Sequence, residues 1–164
     1  MRGDGNYPPF EMMIEKKLTG LHIDIVQAVA SRLKLELSFK SVPWKRAIWM
    51  VKTGTADAII YIGKTEKRSE FLNFIEGNIL SQVVNVFFIS GKLIDKIQYT
   101  GNIDQLKSFI IGKVAGYHYG PFFEENSSYL KIDDGARTEE QLLKKLKLGR
   151  IDVGIGDIAL ISYL

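Results

Sequence analysis

The side chain best placed to do chemistry is Arg68, which closes the run K-T-G-T-A-D-A-I-I-Y-I-G-K-T-E-K-R at residues 52–68. Within that run, residues 56–62 are apolar enough for a strand covered on both faces, as in parallel sheets. The strand would spill into Gly63, Lys64 and Thr65, with Thr65 as N-cap of a helix opened by Glu66, Lys67 and Arg68. A loop at the carboxyl end of a parallel strand, with free helix N–H groups beside a guanidinium, is suited to holding an anion. The alternative for Arg68 is a solvated charge on a helix surface. A second candidate is Asp157, delivered at the end of an apolar strand over 151–155.

Other chemistry finds little support. The sequence has no cysteine, no G-x-S-x-G elbow and no Walker or dinucleotide glycine pattern. Its two histidines, His22 and His118, lie far apart in sequence. His22-x-Asp24 could ligate a metal, but that spacing is common by chance, and His22 reads more simply as a residue at a helix start. His118 reads either as a loop surface residue or as a pocket wall. No metal and no cofactor is called for.

The elements that must position these residues follow from periodicity and punctuation. Residues 4–10, D-G-N-Y-P-P-F, form a turn-rich loop, because two prolines exclude a central strand and a regular helix. After Gly20, the positions Ile25, Val26, Val29, Ala30 and Leu33 recur at helical spacing. Leu35, Leu37 and Phe39 alternate with polar neighbours and predict a strand. A helix from Trp44 to Lys52 follows Pro43 and ends at Gly54, a position for positive φ; its Trp49 and Met50 read as core. Asn85 to Ser90 is a further strand.

The mixed texture between Gly91 and Gly101 places a boundary between two α/β lobes, 1–90 and 91–164. Beyond it come a short helix at 102–108 and a strand at 109–115. The loop from Gly116 carries Tyr117, His118 and Tyr119, and Pro121 can start the next helix. A brief strand at 129–132 precedes a helix capped by Thr138, with Glu139 and Glu140 in its first turn. Lys144, Lys145, Lys147 and Arg150 read as that helix's solvated face.

The pattern K-x-G-x-x-D occurs twice, at 52–57 and 147–152. Each copy follows an amphipathic helix and leads toward an apolar run, so the two lobes read as versions of one helix–turn–strand unit. A cleft between such lobes is a favoured small-molecule site.

Composition agrees with a globular α/β protein: 164 residues, 46% hydrophobic and 25% charged. The net charge of +3 is spread along the chain, so nucleic acid is not indicated. The apolar run at 79–89 is interrupted by polar residues and is too short to span a bilayer. The start lacks the apolar stretch of a signal peptide, so either the protein is cytoplasmic or the chain begins after a removed leader.

Taken in order, Y-P-P-F at 7–10, G-L-H-I-D-I at 20–25, V-P-W at 42–44, G-T-A-D-A-I-I at 54–60, T-E-K-R at 65–68 and G-R-I-D-V-G-I-G-D at 149–157 carry a resemblance. The chain resembles the type II periplasmic solute-binding proteins that serve polar amino-acid ABC transporters, bacterial extracellular solute-binding protein family 3. The resemblance implies a two-lobed α/β architecture and an amino acid held in the cleft for membrane transporter subunits, in a periplasmic or extracytoplasmic setting. It places Arg68 on the ligand carboxylate and Asp157 on the ammonium. Tyr7 would lie against the ligand, Asp4 would reach its side chain, and Trp44 would wall the pocket. Tyr61, Gly63 and Thr65 would belong to the carboxylate loop, and His118 and Tyr119 would contribute from the second lobe.

Three departures from the family pattern carry expectations of their own. The loop before T-E-K-R is one residue shorter and has Gly63 where a serine or threonine is usual, leaving only its backbone N–H to serve. Tyr117, His118 and Tyr119 replace small hydroxyl residues and imply a more aromatic pocket, which would favour an aromatic or cationic ligand. The second lobe looks truncated at Leu164, from which homo-oligomerisation is expected. The same fold also serves as a receptor sensor domain, such as that of a membrane histidine kinase. It serves too as a cyclohexadienyl dehydratase-like enzyme, which would need an acid/base pair at the substrate.

Overall fold

The computed structural model describes residues 6–75, 77 and 83–164. The chain divides into two compact units, Met1–Gln82 and Val83–Leu164. The division therefore falls ahead of the boundary expected at residue 91. The reason is pairing: the strand Asn85–Ile89 is hydrogen-bonded into the sheet of the second unit.

The first unit opens with a three-stranded antiparallel meander, β1 (Asn6–Tyr7), β2 (Glu11–Ile14) and β3 (Lys17–Thr19). The β2–β3 turn is made by Glu15 and Lys16, both at positive φ (48° and 65°). That is the backbone of a tight hairpin turn usually written Asn-Gly, so Glu-Lys conceals it in sequence. Helix α1 (Leu21–Leu33) follows Gly20, but its buried positions are His22, Ile23 and Ala30. The expected apolar stripe is only partly used, since Val29 is 51% and Leu33 63% exposed.

Helix α2 (Trp44–Lys52) has the expected bounds, with Pro43 before it and Gly54 at φ 70° after it. It buries Trp44, Ala47 and Met50 and leaves Trp49 exposed, contrary to the reading of Trp49 as core. Helix α3 (Glu66–Ser69) is a single turn capped by Thr65.

Two expected strands of this unit are not formed. Residues 35–39 and 56–62 carry no strand assignment, and Tyr61 has a left-handed φ of 54°. An apolar or alternating run becomes a strand only when another backbone offers its N–H and C=O groups at the right register. Neither run is paired with a strand among the described residues.

The second unit is a four-stranded sheet in the order β4-β7-β5-β6. Its strands are β4 (Asn85–Ile89), β5 (Ile110–Val114), β6 (Lys131–Ala136) and β7 (Val153–Asp157). β5 runs parallel to β6 and β7, and β4 pairs antiparallel with β7. Helix α4 (Pro121–Asn126) begins on Pro121 at its first turn. Helix α5 (Glu139–Lys147) is capped by Thr138 and packs on β5, β6 and β7, and α6 (Ile158–Tyr163) follows β7 directly.

Ile111, Val114, Leu142, Ile151, Val153 and Leu160 are almost fully buried and form the core of this unit. Gly112 sits under α5: a Cβ there would stand 2.4 Å from Ile151 Cδ1 and 2.8 Å from Leu142 Cδ1. The glycine lets the helix layer close onto the strand. Both copies of the sequence repeat end a nine-residue helix on lysine, then turn at a glycine of positive φ (Gly54 70°, Gly149 68°). The second aspartate goes further: Asp152 accepts the Ile110 N–H at 2.8 Å and donates its own N–H to Ile110 at 2.9 Å. That clasp starts the parallel β5–β7 pairing. Asp57, its counterpart, is exposed and is followed by no strand.

Candidate functional site

In the first unit the candidate residues gather around the turn from Tyr61 to Arg68. Thr65 caps α3, its side-chain oxygen accepting the Arg68 N–H at 3.2 Å while its carbonyl accepts from Ser69. The cap thus engages the Arg68 N–H, one of the donors that the first turn of a helix leaves open. Arg68 Nη1 donates to the Gly63 carbonyl at 2.8 Å, and its guanidinium carbon lies 5.8 Å from the centre of the Trp44 ring. Trp44 is itself buried, at 4% exposure. One face of the guanidinium thus meets an aromatic surface and one edge is held by a loop carbonyl, which orients the planar fork.

Gly63 is exposed, and a Cβ there would meet only Arg68 Nη1, at 3.7 Å. That is an ordinary contact, so space does not impose the glycine at this position. Behind the loop, Tyr7, Phe10 and Tyr61 stack together: Tyr61 lies 5.3 Å from both Tyr7 and Phe10. Tyr7 is 2% exposed, in keeping with an aromatic wall rather than a free surface ring. Asp4 lies outside the described residues.

Sequence reasoning missed one group here. Glu11 and His22 are both buried, and His22 Nδ1 stands 3.5 Å from Glu11 Oε1. The His22 ring packs 4.8 Å from Phe10 and 4.3 Å from Tyr61. Asp24, the imagined metal partner of His22, is exposed instead. The available signal was the charge of Glu11 directly after an apolar turn, which becomes informative only once the hairpin brings β2 alongside α1.

In the second unit, β5 and β7 are parallel, so their carboxyl ends fall at one edge of the sheet. Asp157 ends β7, and residues 115–120 leave β5 beside it. Asp157 is 5% exposed and its Oδ1 accepts the Ala159 N–H at 3.0 Å, which caps α6. Tyr119 is buried at 6%; its hydroxyl accepts the Val114 N–H at 2.9 Å, and its carbonyl accepts from Asn85 Nδ2 at 3.2 Å. Glu124 ties the loop down, accepting the Tyr119 N–H at 3.0 Å and facing His118 Nδ1 at 3.4 Å.

His118 thus lies at the loop surface with an acidic neighbour, while Tyr117 is buried. An open cavity of about 370 Å³ in this unit is lined by Asn85, Phe87, Tyr119, Phe123 and Ile155 among others. Of the expected ligand contacts it takes in Tyr119 alone, so it is not the assembled candidate site. Among the described residues there is no cluster of three or more metal-ligating side chains, and no helix long and apolar enough to cross a membrane.

The arginine-binding periplasmic protein of Mannheimia haemolytica is 28% identical over 161 residues, covering 97% of this chain and 62% of the relative. The probable amino-acid-binding protein YxeM of Bacillus subtilis is 25% identical over 152 residues, covering 90% of this chain and 54% of the relative. The chain therefore spans somewhat more than half the length of these curated relatives, which are named as binding proteins.

Among solved structures, an ancestral amino-acid-binding protein, a precursor of cyclohexadienyl dehydratase, superposes with a TM-score of 0.82 at 20% identity. It covers 99% of this chain and 71% of that one, and the fold is that of type II periplasmic binding proteins. The family described as bacterial extracellular solute-binding proteins, family 3, matches residues 1–117, the stretch that holds Tyr7, Trp44 and the Gly63–Arg68 turn. With 117 of its 164 residues in that match, the chain belongs to the bacterial extracellular solute-binding proteins of family 3.

Proposed function

We propose that this chain captures an amino acid outside the cytoplasm, for delivery to the membrane subunits of an ABC transporter. In this reading Arg68 takes the α-carboxylate and Asp157 the α-ammonium. Gly63 and Thr65 shape the carboxylate loop, and Asp4, Tyr7, Trp44, Tyr61, His118 and Tyr119 contact the rest of the ligand. The observation that carries it is the Arg68 guanidinium, held by the Gly63 carbonyl and backed by buried Trp44. The arginine-binding relative, together with the aromatic residues of this chain, supports a cationic side chain on the ligand. The chain is read as a binding protein rather than an enzyme, and the exposed Val29, Leu33, Leu35 and Leu37 support self-association.

Calorimetric titration against the common amino acids tests this reading. L-Arginine should give a saturable heat. Arg68→Lys should weaken binding by at least about tenfold, because a point charge cannot reproduce a charge-assisted fork worth about 1.5–3 kcal/mol. No heat with any amino acid, or equal affinity in the lysine variant, refutes the assignment.

A further inference from the structure

Three rings in a row, Tyr117, His118 and Tyr119, occupy the loop that leaves β5, and of these the middle one is at the surface. Tyr117 and Tyr119 are 9% and 6% exposed, with ring centres 6.3 Å apart. Tyr119 also uses its hydroxyl inside the unit, on the Val114 N–H. The loop is tied at both ends: the Ala115 N–H reaches the Ala136 carbonyl at 2.8 Å, and the Glu124 N–H reaches that of Gly120 at 3.1 Å. On so fixed a frame, the polar ring offered at the surface is His118, whose side chain is 34% exposed.

Glu124, in the first turn of α4, sets which nitrogen of that ring is offered. A single carboxylate oxygen, Oε1, accepts the Tyr119 N–H at 3.0 Å and stands 3.4 Å from His118 Nδ1. A neutral imidazole carries one hydrogen between two nitrogens, and the partner of one of them determines where it sits. An acceptor beside Nδ1 draws the hydrogen there and leaves Nε2 as a lone-pair acceptor, made more basic by the carboxylate behind it. No polar partner meets Nε2 among the described residues.

We propose that Glu124 is a positioning residue that holds His118 in the Nδ1–H form, so that Nε2 accepts a hydrogen bond from the side chain of the bound amino acid. The arrangement selects side chains that carry N–H donors, cationic ones above all, because a neutral imidazole and a carboxylate together are anionic. This deepens the amino-acid-binding reading and rests on it, but the form of the ring is set without ligand. Roles within the loop also separate: Tyr119 anchors it, and His118 contributes to specificity.

The test begins with nitrogen-15 NMR of the histidines in the unliganded full chain at pH 8, above the ordinary imidazole value of about 6.5. Signals absent from His118→Phe belong to His118. The wild type should carry hydrogen on Nδ1. Glu124→Gln keeps an oxygen for both contacts and should keep that form, whereas Glu124→Ala should move the hydrogen to Nε2. A merely structural Glu124 would leave the form of the ring unchanged in all three. In calorimetry, His118→Phe and Glu124→Ala should each weaken L-arginine binding about tenfold, and Glu124→Gln by less than about threefold, on the scale of one hydrogen bond to a charged group. Hydrogen on Nε2 of the wild type overturns the proposal and needs no altered chain, so a misfolded variant does not shield it. Unchanged L-arginine affinity in His118→Phe overturns it as well. A wild-type chain that binds no amino acid refutes the transport reading instead, and the form of the His118 ring still decides the role of Glu124.

Discussion

Replacing Gly20 by alanine should damage the first unit more than any change of similar size on its surface. Gly20 precedes α1 at φ 123° and ψ 167°, a conformation that side-chain-bearing residues adopt only at a cost of about 1–3 kcal/mol. A Cβ there would stand 2.4 Å from the Phe10 carbonyl oxygen and 2.6 Å from its carbon. Both are backbone atoms, so the clash is relieved only by moving α1 away from the turn at 7–10. That movement breaks the His22 N–H bond to Phe10 (3.1 Å) and the Leu21 N–H bond to Pro9 (3.3 Å), at about 1 kcal/mol each.

Against this, alanine restricts the unfolded chain and returns only about 0.4–1 kcal/mol. The net loss is about 3 kcal/mol, a large share of the roughly 5–15 kcal/mol that folded domains possess. Both tryptophans, Trp44 and Trp49, lie in the first unit, so tryptophan fluorescence during urea unfolding reports on it selectively. With a urea dependence of about 1 kcal/mol per molar, the midpoint should fall by about 3 M. The control is Gly54→Ala, where φ is 70° but nothing lies within 4 Å of a Cβ; strain alone predicts about 1 kcal/mol. If Gly20→Ala shifts the midpoint no further than Gly54→Ala does, the close packing of α1 on the 7–10 turn is wrong.

Two further outcomes concern the second unit. A Cβ at Gly154 would stand 2.2 Å from Phe88 Cζ, a side-chain atom that can rotate away, so Gly154→Ala should cost roughly 1–3 kcal/mol. Amide exchange should accelerate along β4 and β7; unchanged protection there would mean that Phe88 does not cover Gly154. Asp133 is held below the usual carboxylate range by the hydrogen bond from Lys145, and it also accepts the Gly135 N–H. Because the folded value is the lower one, this contribution is fully present above the ordinary carboxylate value of about 3.9. It is lost as pH falls through the lowered value. Melting temperature should therefore drop more steeply in acid for wild type than for Asp133→Asn, and parallel curves would contradict the ion pair.

Helices were legible because their determinants lie within a few residues. The bounds of α2, the Thr65 and Thr138 caps, Pro121 at the start of α4 and the glycines ending both repeat helices are all local chemistry. Strands were legible only where the second unit supplies a neighbour. The runs at 35–39 and 56–62 look no less strand-like in sequence than 151–155, but a strand is a property of two backbones and these have no partner among the described residues. The boundary between units moved for the same reason, since the partner of 85–89 is β7.

For the site, residue types and order alone singled out Arg68, Thr65, Trp44 and Asp157 as candidates by their resemblance to one family, with Gly63 as a departure from its pattern. Which of their atoms are already engaged was a matter for the tertiary structure. Thr65 caps, Asp157 Oδ1 caps, and Tyr119 spends its hydroxyl on Val114, because hydrogen-bond partners are set by distances that sequence spacing does not encode. Only the fold could bring Glu11 beside His22. They are eleven residues apart across a hairpin whose Glu-Lys turn gives no sequence signal, and their pairing depends on β2 packing against the first turn of α1.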